Sequence, residues 1–215
     1  MTIPTLAQPT EPSQAFAVAA SSEQIDRTAR ALAANNFTVE ILDDAESARA
    51  RVAALVPTGA GVFTAASETL RLAGIDADVN QSDRYAAVKP KVWALDRATQ
   101  GAEIRRLTAT PDVVIGSVSA VTEAGTLVAV SASGSQLPAY AGGAARVIWI
   151  VGAQKIVPDL ATALRRIETY ALPLENERAR TAYGRSSAIN KILIVNAEPA
   201  PGRTTVLLLR QPIGF

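Results

Sequence analysis

The stretch that most constrains this chain is Arg146-Val-Ile-Trp-Ile-Val151. Its apolar residues are consecutive rather than alternating. A strand of this kind must be covered on both faces, which points to the interior of a parallel sheet with helices above and below. Other short runs share the character: Phe37–Leu42, Gly61–Thr64, Asp112–Ile115, Thr126–Ser131, Lys191–Val195 and Thr204–Leu209. Between them lie helical patterns. One opens at Ser21 or Ser22, carries Ile25, Ala29 and Leu32, and stops at Asn35–Asn36. A second is capped by Asp43 or Asp44, carries Ala45, Ala48, Val52 and Leu55, and breaks at Pro57 and Gly59. Arg49 and Arg51 fall off that stripe and read as plain solvent-facing charges.

Further helices are expected from Ser67 to Gly74, Asp96 to Ala109, Gln136 to Ala141, Pro158 onward with Leu160, Leu164 and Ile167 as its stripe, and Glu175 to Tyr183. Proline at a helix start costs nothing, since its missing N–H would be free there. Residues 75–95 read as packed but irregular, with Tyr85, Val88, Val92 and Trp93 as anchors. Gly116–Gly125 reads as a loop. Strands thus alternate with helices nearly throughout, giving an α/β domain with a largely parallel central sheet and helices on both faces. The 215 residues suffice for one such domain, assigned to 21–215, and not for two large ones. Residues 1–20, with Pro4, Pro9 and Pro12 and no basic residue before Arg27, read as a disordered or loosely attached leader rather than a secretory signal.

Composition narrows the chemistry. The chain has no His and no Cys. A Ser-His-Asp triad, a Cys nucleophile, a thiolate or imidazole metal site and an iron–sulfur cluster are therefore excluded, so no metal and no cofactor is expected. Proton transfer falls to Asp, Glu, Lys or Tyr. The formal net charge of +1 offers no global attraction to nucleic acid or an anionic membrane. The apolar runs are also too short to span a bilayer. A cytoplasmic protein acting on a small anionic metabolite is expected.

In parallel α/β sheets ligands bind at the carboxyl ends of the strands. Five loops qualify. Phe63–Leu70 supplies the hydroxyls of Thr64, Ser67 and Thr69 at a strand-to-helix turn, which suits an anion; Ser67 as a simple cap is the alternative. Gly116–Thr126 carries Glu123, the only acidic residue between Asp112 and Asp159, beside Gly125. Glu123 is either a desolvated catalytic carboxylate or a turn residue. Ser131–Gln136 offers Gly134, Ser135 and Gln136, as a binding loop or a tight turn. Gly152–Pro158 brings Lys155 to the end of the strongest strand, as an anion ligand or a surface charge. Asn190, Lys191 and Arg203 flank the last two strands and are either pocket or edge residues.

Taken in order, Val121-Thr-Glu-Ala-Gly-Thr-Leu127, Gly134-Ser-Gln-Leu-Pro-Ala-Tyr140, Val147–Leu160, Ala182-Tyr-Gly184, Ile189-Asn-Lys-Ile-Leu-Ile194 and Pro201-Gly-Arg-Thr204 resemble the LUD domain family, named for lactate utilisation, over about residues 20–215. The resemblance implies the fold shared by ribose-5-phosphate isomerase, glucosamine-6-phosphate deaminase and the coenzyme A transferases. In the transferases a catalytic Glu stands in a Ser-Glu-Asn-Gly-like turn. Glu123 is similarly placed, with Thr122 and Ala124 where the Ser and Asn would be. The resemblance further implies that Thr64–Thr69 is the counterpart of an anion-binding turn. It also implies a role in lactate or related organic-acid metabolism, and an iron–sulfur partner protein, since this chain cannot hold a cluster. Some members have His where Ser119 stands. The implied pocket is ringed by Thr64, Ser67, Thr69, Gly116, Glu123, Gly125, Gly134, Ser135, Gln136 and Lys155. An acyl or coenzyme A transferase, a sugar-phosphate isomerase and a non-catalytic assembly subunit are the rival readings.

Overall fold

A computed structural model of the chain describes residues 11–215. The strands are Thr38–Leu42 (β1), Gly61–Thr64 (β2), Ala86–Ala87 (β3), Val113–Gly116 (β4), Ala120–Thr122 (β5), Leu127–Ser131 (β6), Arg146–Gly152 (β7), Ile156–Val157 (β8), Lys191–Val195 (β9) and Thr204–Leu209 (β10). The α-helices are Ser22–Ala34 (α1), Ala45–Leu55 (α2), Glu68–Leu72 (α3), Ile75–Asn80 (α4), Val88–Trp93 (α5), Gly101–Ala109 (α6), Leu160–Arg166 (α7) and Leu172–Tyr183 (α8).

Six strands form a sheet in the order β1-β10-β7-β4-β2-β3, every pair parallel. Helices cover both faces, as the non-alternating strands require. One face carries Val147, Trp149 and Val151, with Ile25 and Leu32 of α1. The other carries Ile148 and Ile150, with Ala48 and Val52 of α2 and Leu70 of α3. Trp149 is buried, and Tyr140 meets it edge-on with ring centroids 5.3 Å apart. Full burial of such side chains contributes about 1.5–3 kcal/mol each.

Local chemistry sets the helix starts. Ser21 and Gln24 close a reciprocal capping box on α1. Asp44 accepts from Ser47 N at 2.8 Å on α2, and Asp159 accepts from Thr162 N at 2.7 Å on α7.

A second sheet, β8-β5-β6-β9, is antiparallel except for its β8–β5 pair. The span 116–125, expected as a loop, therefore contains β5. Residues 75–95 resolve into α4, β3 and α5. Tyr85, Val88 and Val92 are buried as expected, whereas Trp93 is 66% exposed. Arg49 and Arg51 are not free charges: Arg49 pairs with Asp78 and Arg51 with Glu40.

From Leu160 to Tyr183 the chain is helical, with a wider π segment at Ile167–Ala171. Pro173 explains the widening. It has no N–H to offer the carbonyl of Thr169, four residues earlier. That carbonyl instead accepts from Ser13 N at 2.8 Å. Phe16 packs against the second sheet's core, and Ala20 N donates to Ala153 O at 3.3 Å. Of the expected loose leader, residues 1–10 lie outside the described residues, and 13–20 are fastened to the domain body.

Candidate functional site

β2, β4, β7 and β10 all end on the same edge of the parallel sheet, and a buried cation stands there. After β7 a short 3-10 turn, Ala153–Lys155, folds the Lys155 side chain inward. Lys155 is 1% exposed. Its Nζ donates to Thr69 Oγ1 at 2.9 Å, Ser117 Oγ at 2.9 Å and Val118 O at 3.1 Å. The first partner belongs to α3, the others to the chain leaving β4. Ser117 in turn donates to Ile150 O at 2.6 Å, which fixes the hydroxyl.

Beside it lies a second cation. Arg166, at the end of α7, is 0% exposed. Its Nε donates to Gln154 O at 3.2 Å, and its Nη1 donates to Ser119 O. Its Nη2 is buried and has no partner among the described residues. The π segment carries Tyr170 under the guanidinium, 5.0 Å from ring centroid to Cζ. No carboxylate pairs with either cation among the described residues. Desolvation pushes the Lys155 ammonium well below the ordinary lysine range, and the charge of Arg166 adds to the effect. Desolvation also brings the Arg166 guanidinium down to about 10. Buried charges are normally paired, so two adjacent like charges make a region of positive potential with room in its chemistry for an anion.

A cleft of about 360 Å³ reaches Gln154 and Tyr170, both in contact with Arg166, while Lys155 and Arg166 themselves lie behind its lining. Gln154, Tyr170, Gln211, Ile213 and Gly214 form part of its lining. Gln154 Nε2 donates to Ile213 O and Gly214 O, both at 2.9 Å, and Gln154 Oε1 accepts from Ile213 N at 3.2 Å. Residues 211–215 are thereby strapped over the Lys155–Thr69 contact. Gly214 adopts φ +67°, and a Cβ there would run into Thr69.

Of the residues expected to ring one pocket, only Thr69 and Lys155 are joined across different loops by a hydrogen bond. Thr64 is buried in a different network. It donates to Asp76 Oδ1 at 2.7 Å and accepts from Asn80 Nδ2 at 2.9 Å, with Lys89 paired to Asp76. Ser67 caps α3 through Leu70 N. Gly116 is needed because the Tyr140 hydroxyl occupies the place of a Cβ. Gly125 lies against the backbone of α1, and Gly134 against the Lys191 stem. Gln136 accepts from Ser131 Oγ at 3.0 Å, and exposed Ser135 bonds within the same turn. Asn190 donates to Ala132 O, and Arg203 pairs with Glu198.

Glu123 stands apart as well. It sits in the turn after β5, its side chain 22% exposed. Gln24 Nε2 donates to one carboxylate oxygen at 3.0 Å, and Arg27 grips the other through Nε at 3.0 Å and Nη2 at 2.8 Å. These bonds, Gln24 first and then Arg27, hold the carboxyl below its usual range. Of the two readings of Glu123, desolvated carboxylate or turn residue, its surroundings match a paired turn residue: α1 brings it donors that neighbours in sequence do not.

Ser117, Gln154 and Arg166 went unsingled in the sequence, although the first two lie inside loops that were picked out. Arg166 had one faint signal. Ala163, Arg166, Ile167 and Tyr170 share helical spacing, and Ala163, Arg166, Ile167 and Tyr170 are the buried face of this helix. The stripe expected from Leu160 lies one step around, and Leu160 is 37% exposed.

Among the described residues no group of three His, Cys, Asp or Glu comes together, and no helix is long and apolar enough to cross a membrane. A family model for the LUD domain matches residues 25–209. No curated protein matches the chain. Among solved structures, a DUF162 family protein from Deinococcus radiodurans superposes with a TM-score of 0.53 at 15% identity, covering 87% of this chain and 97% of that one. At that identity the likeness speaks to the fold.

Proposed function

The chain belongs to the LUD domain family, and from that premise we propose that it binds a small organic-acid anion, lactate or a related metabolite, at Lys155 and Arg166. The observation that carries the reading is the unpartnered, buried Arg166 Nη2 beside a second buried cation. A carboxylate would complete that hydrogen bond and neutralise the like charges. Thr69 and Ser117 orient the ammonium, and Gln154 and Tyr170, which touch Arg166, connect the site to the cleft beside residues 211–214. An iron–sulfur cluster acting on such a ligand would come from a partner protein, because the chain has no Cys or His to hold one. The cytoplasm is the proposed setting.

This reading favours binding through cations over transferase chemistry through Glu123, which is saturated by Gln24 and Arg27. The test is thermal melting with sodium lactate against sodium chloride at equal ionic strength. A ligand at ten times its Kd stabilises the folded state by about 1.4 kcal/mol. The lactate-specific rise is expected in the parent and in Glu123→Gln, and lost in Arg166→Met and Lys155→Met. Equal shifts with chloride and lactate, or a shift untouched in both cation variants, would overturn the proposal.

A further inference from the structure

We infer that Lys155 is a carbonyl-directed amine, placed to form an imine with a small 2-oxo acid whose carboxylate rests on Arg166; the inference builds on the anion site proposed above. Three observations point there. A buried lysine without a carboxylate partner, next to another cation, is the arrangement that eases loss of the ammonium proton; on losing it Nζ keeps two of its three hydrogen bonds and gains a nucleophilic lone pair. Burial and Arg166 both act in that direction on this ammonium. Two hydroxyls, Thr69 Oγ1 and Ser117 Oγ, stand 2.9 Å from Nζ, within proton-transfer reach. Ser117 and Ser119, which hold Lys155 and Arg166 from the loop after β4, are themselves partly exposed, whereas the two cations are buried.

The ligand class follows from the two heads. Lys155 and Arg166 hold the neighbouring carbonyls of Val118 and Ser119. A molecule meeting both needs an anion and an electrophilic carbon close together, as a 2-oxo acid has. The Nζ lone pair adds to the carbonyl carbon, forming a C–N bond as the π pair moves to oxygen. One nitrogen proton passes through the Ser117 or Thr69 hydroxyl to that oxygen. The carbinolamine then loses its hydroxyl as water, taking up the second nitrogen proton, and C=N remains. No oxidant or reductant enters. A protonated imine would face Arg166, and the acid's own carboxylate lies between the two charges.

The experiment treats the full chain with pyruvate or glyoxylate and sodium borohydride, then reads intact mass and the modified peptide. One reduced adduct on Lys155 is expected, with Lys89, Lys91 and Lys191 as controls within the same chain. The adduct should vanish in Lys155→Arg and form more slowly in Ser117→Ala. Because the parent's peptide map assigns the site, the result does not depend on a variant folding. Labelling spread evenly over the lysines, or none, overturns the inference. Melting curves with pyruvate but no borohydride separate the two ideas. A pyruvate-specific shift without an adduct sinks the imine alone, whereas neither shift nor adduct sinks the anion site with it.

Discussion

Arg166 and Arg27 are both arginines facing the oxygen-rich turns around β5, yet they live under opposite electrostatic rules. Arg27 is 44% exposed and meets its countercharge, Glu123, in a two-pronged contact. Arg166 is fully buried, meets only backbone carbonyls, and has Lys155 for a neighbour. An exposed pair of opposite charges is complete in itself, screened by water, and contributes little. A buried pair of like charges is incomplete, because no group in the fold neutralises it. The difference makes the first a fastening between α1 and the second sheet, and is the ground on which the second is proposed as the anion site.

The largest effect expected from this contrast is on stability. Arg166→Ala removes two charge-assisted hydrogen bonds and leaves a cavity under Tyr170, and should cost about 3–5 kcal/mol in denaturant unfolding. A midpoint within error of the parent would make the buried guanidinium dispensable and collapse the contrast.

Next is the pH dependence of Lys155. Its folded pKa is depressed, so between that value and the unfolded value of about 10.4 the unfolded chain holds a proton that the folded chain lacks. Stability therefore rises with pH across this window. The penalty is fully present below the folded pKa and gone above the unfolded one. Lys155→Met should flatten that alkaline rise in unfolding midpoints measured over a pH series. An identical slope in parent and variant would mean the ammonium is not desolvated.

A smaller loss is expected at α3, where Ser67→Ala should cost about 1 kcal/mol through the missing cap. The lactate-dependent melting shift should survive, since Ser67 contacts neither cation. Disappearance of that shift would bring the Thr64–Thr69 turn back into the ligand site.

The smallest effect belongs to the surface pair. Glu123→Gln should lose less than about 1 kcal/mol near neutrality. The lowered carboxyl pKa contributes stability present above the unfolded value of about 4.3 and lost as pH falls through the folded value. The variant should therefore show a shallower decline in acid. A large loss at neutral pH would show that Arg27 and Glu123 matter as much as the buried pair.

Much of the architecture is legible in the residues. The run at Val147–Val151 demands two covered faces, and β7 lies inside the parallel sheet with β10 and β4 on either side. Ser21, Asp44, Ser67 and Asp159 cap helices by hydrogen bonds to residues three places on, a purely local event. The second sheet was harder to see. β5 has three residues and β8 two, too short for a periodicity, and they exist through pairing, β5 with β6 and β8, and β8 with β5. The site was half legible: the end of the strongest strand and the hydroxyls of α3 led to Lys155 and Thr69, while an arginine on a helix is ordinarily solvent-facing and Arg166 is not.

What the sequence by itself determines here is therefore short-range: where strands must be buried, where helices begin, and which metal and thiol chemistries lack their atoms. Tertiary structure decided which charges meet. Glu123 finds Arg27 across 96 residues, and Lys155 finds Thr69 across 86. Capping and periodicity depend on neighbours along the chain, so they can be read there. Desolvation and charge pairing depend on neighbours in space, which exist only once the sheet, its helices and the strap of residues 211–215 have closed around Lys155 and Arg166.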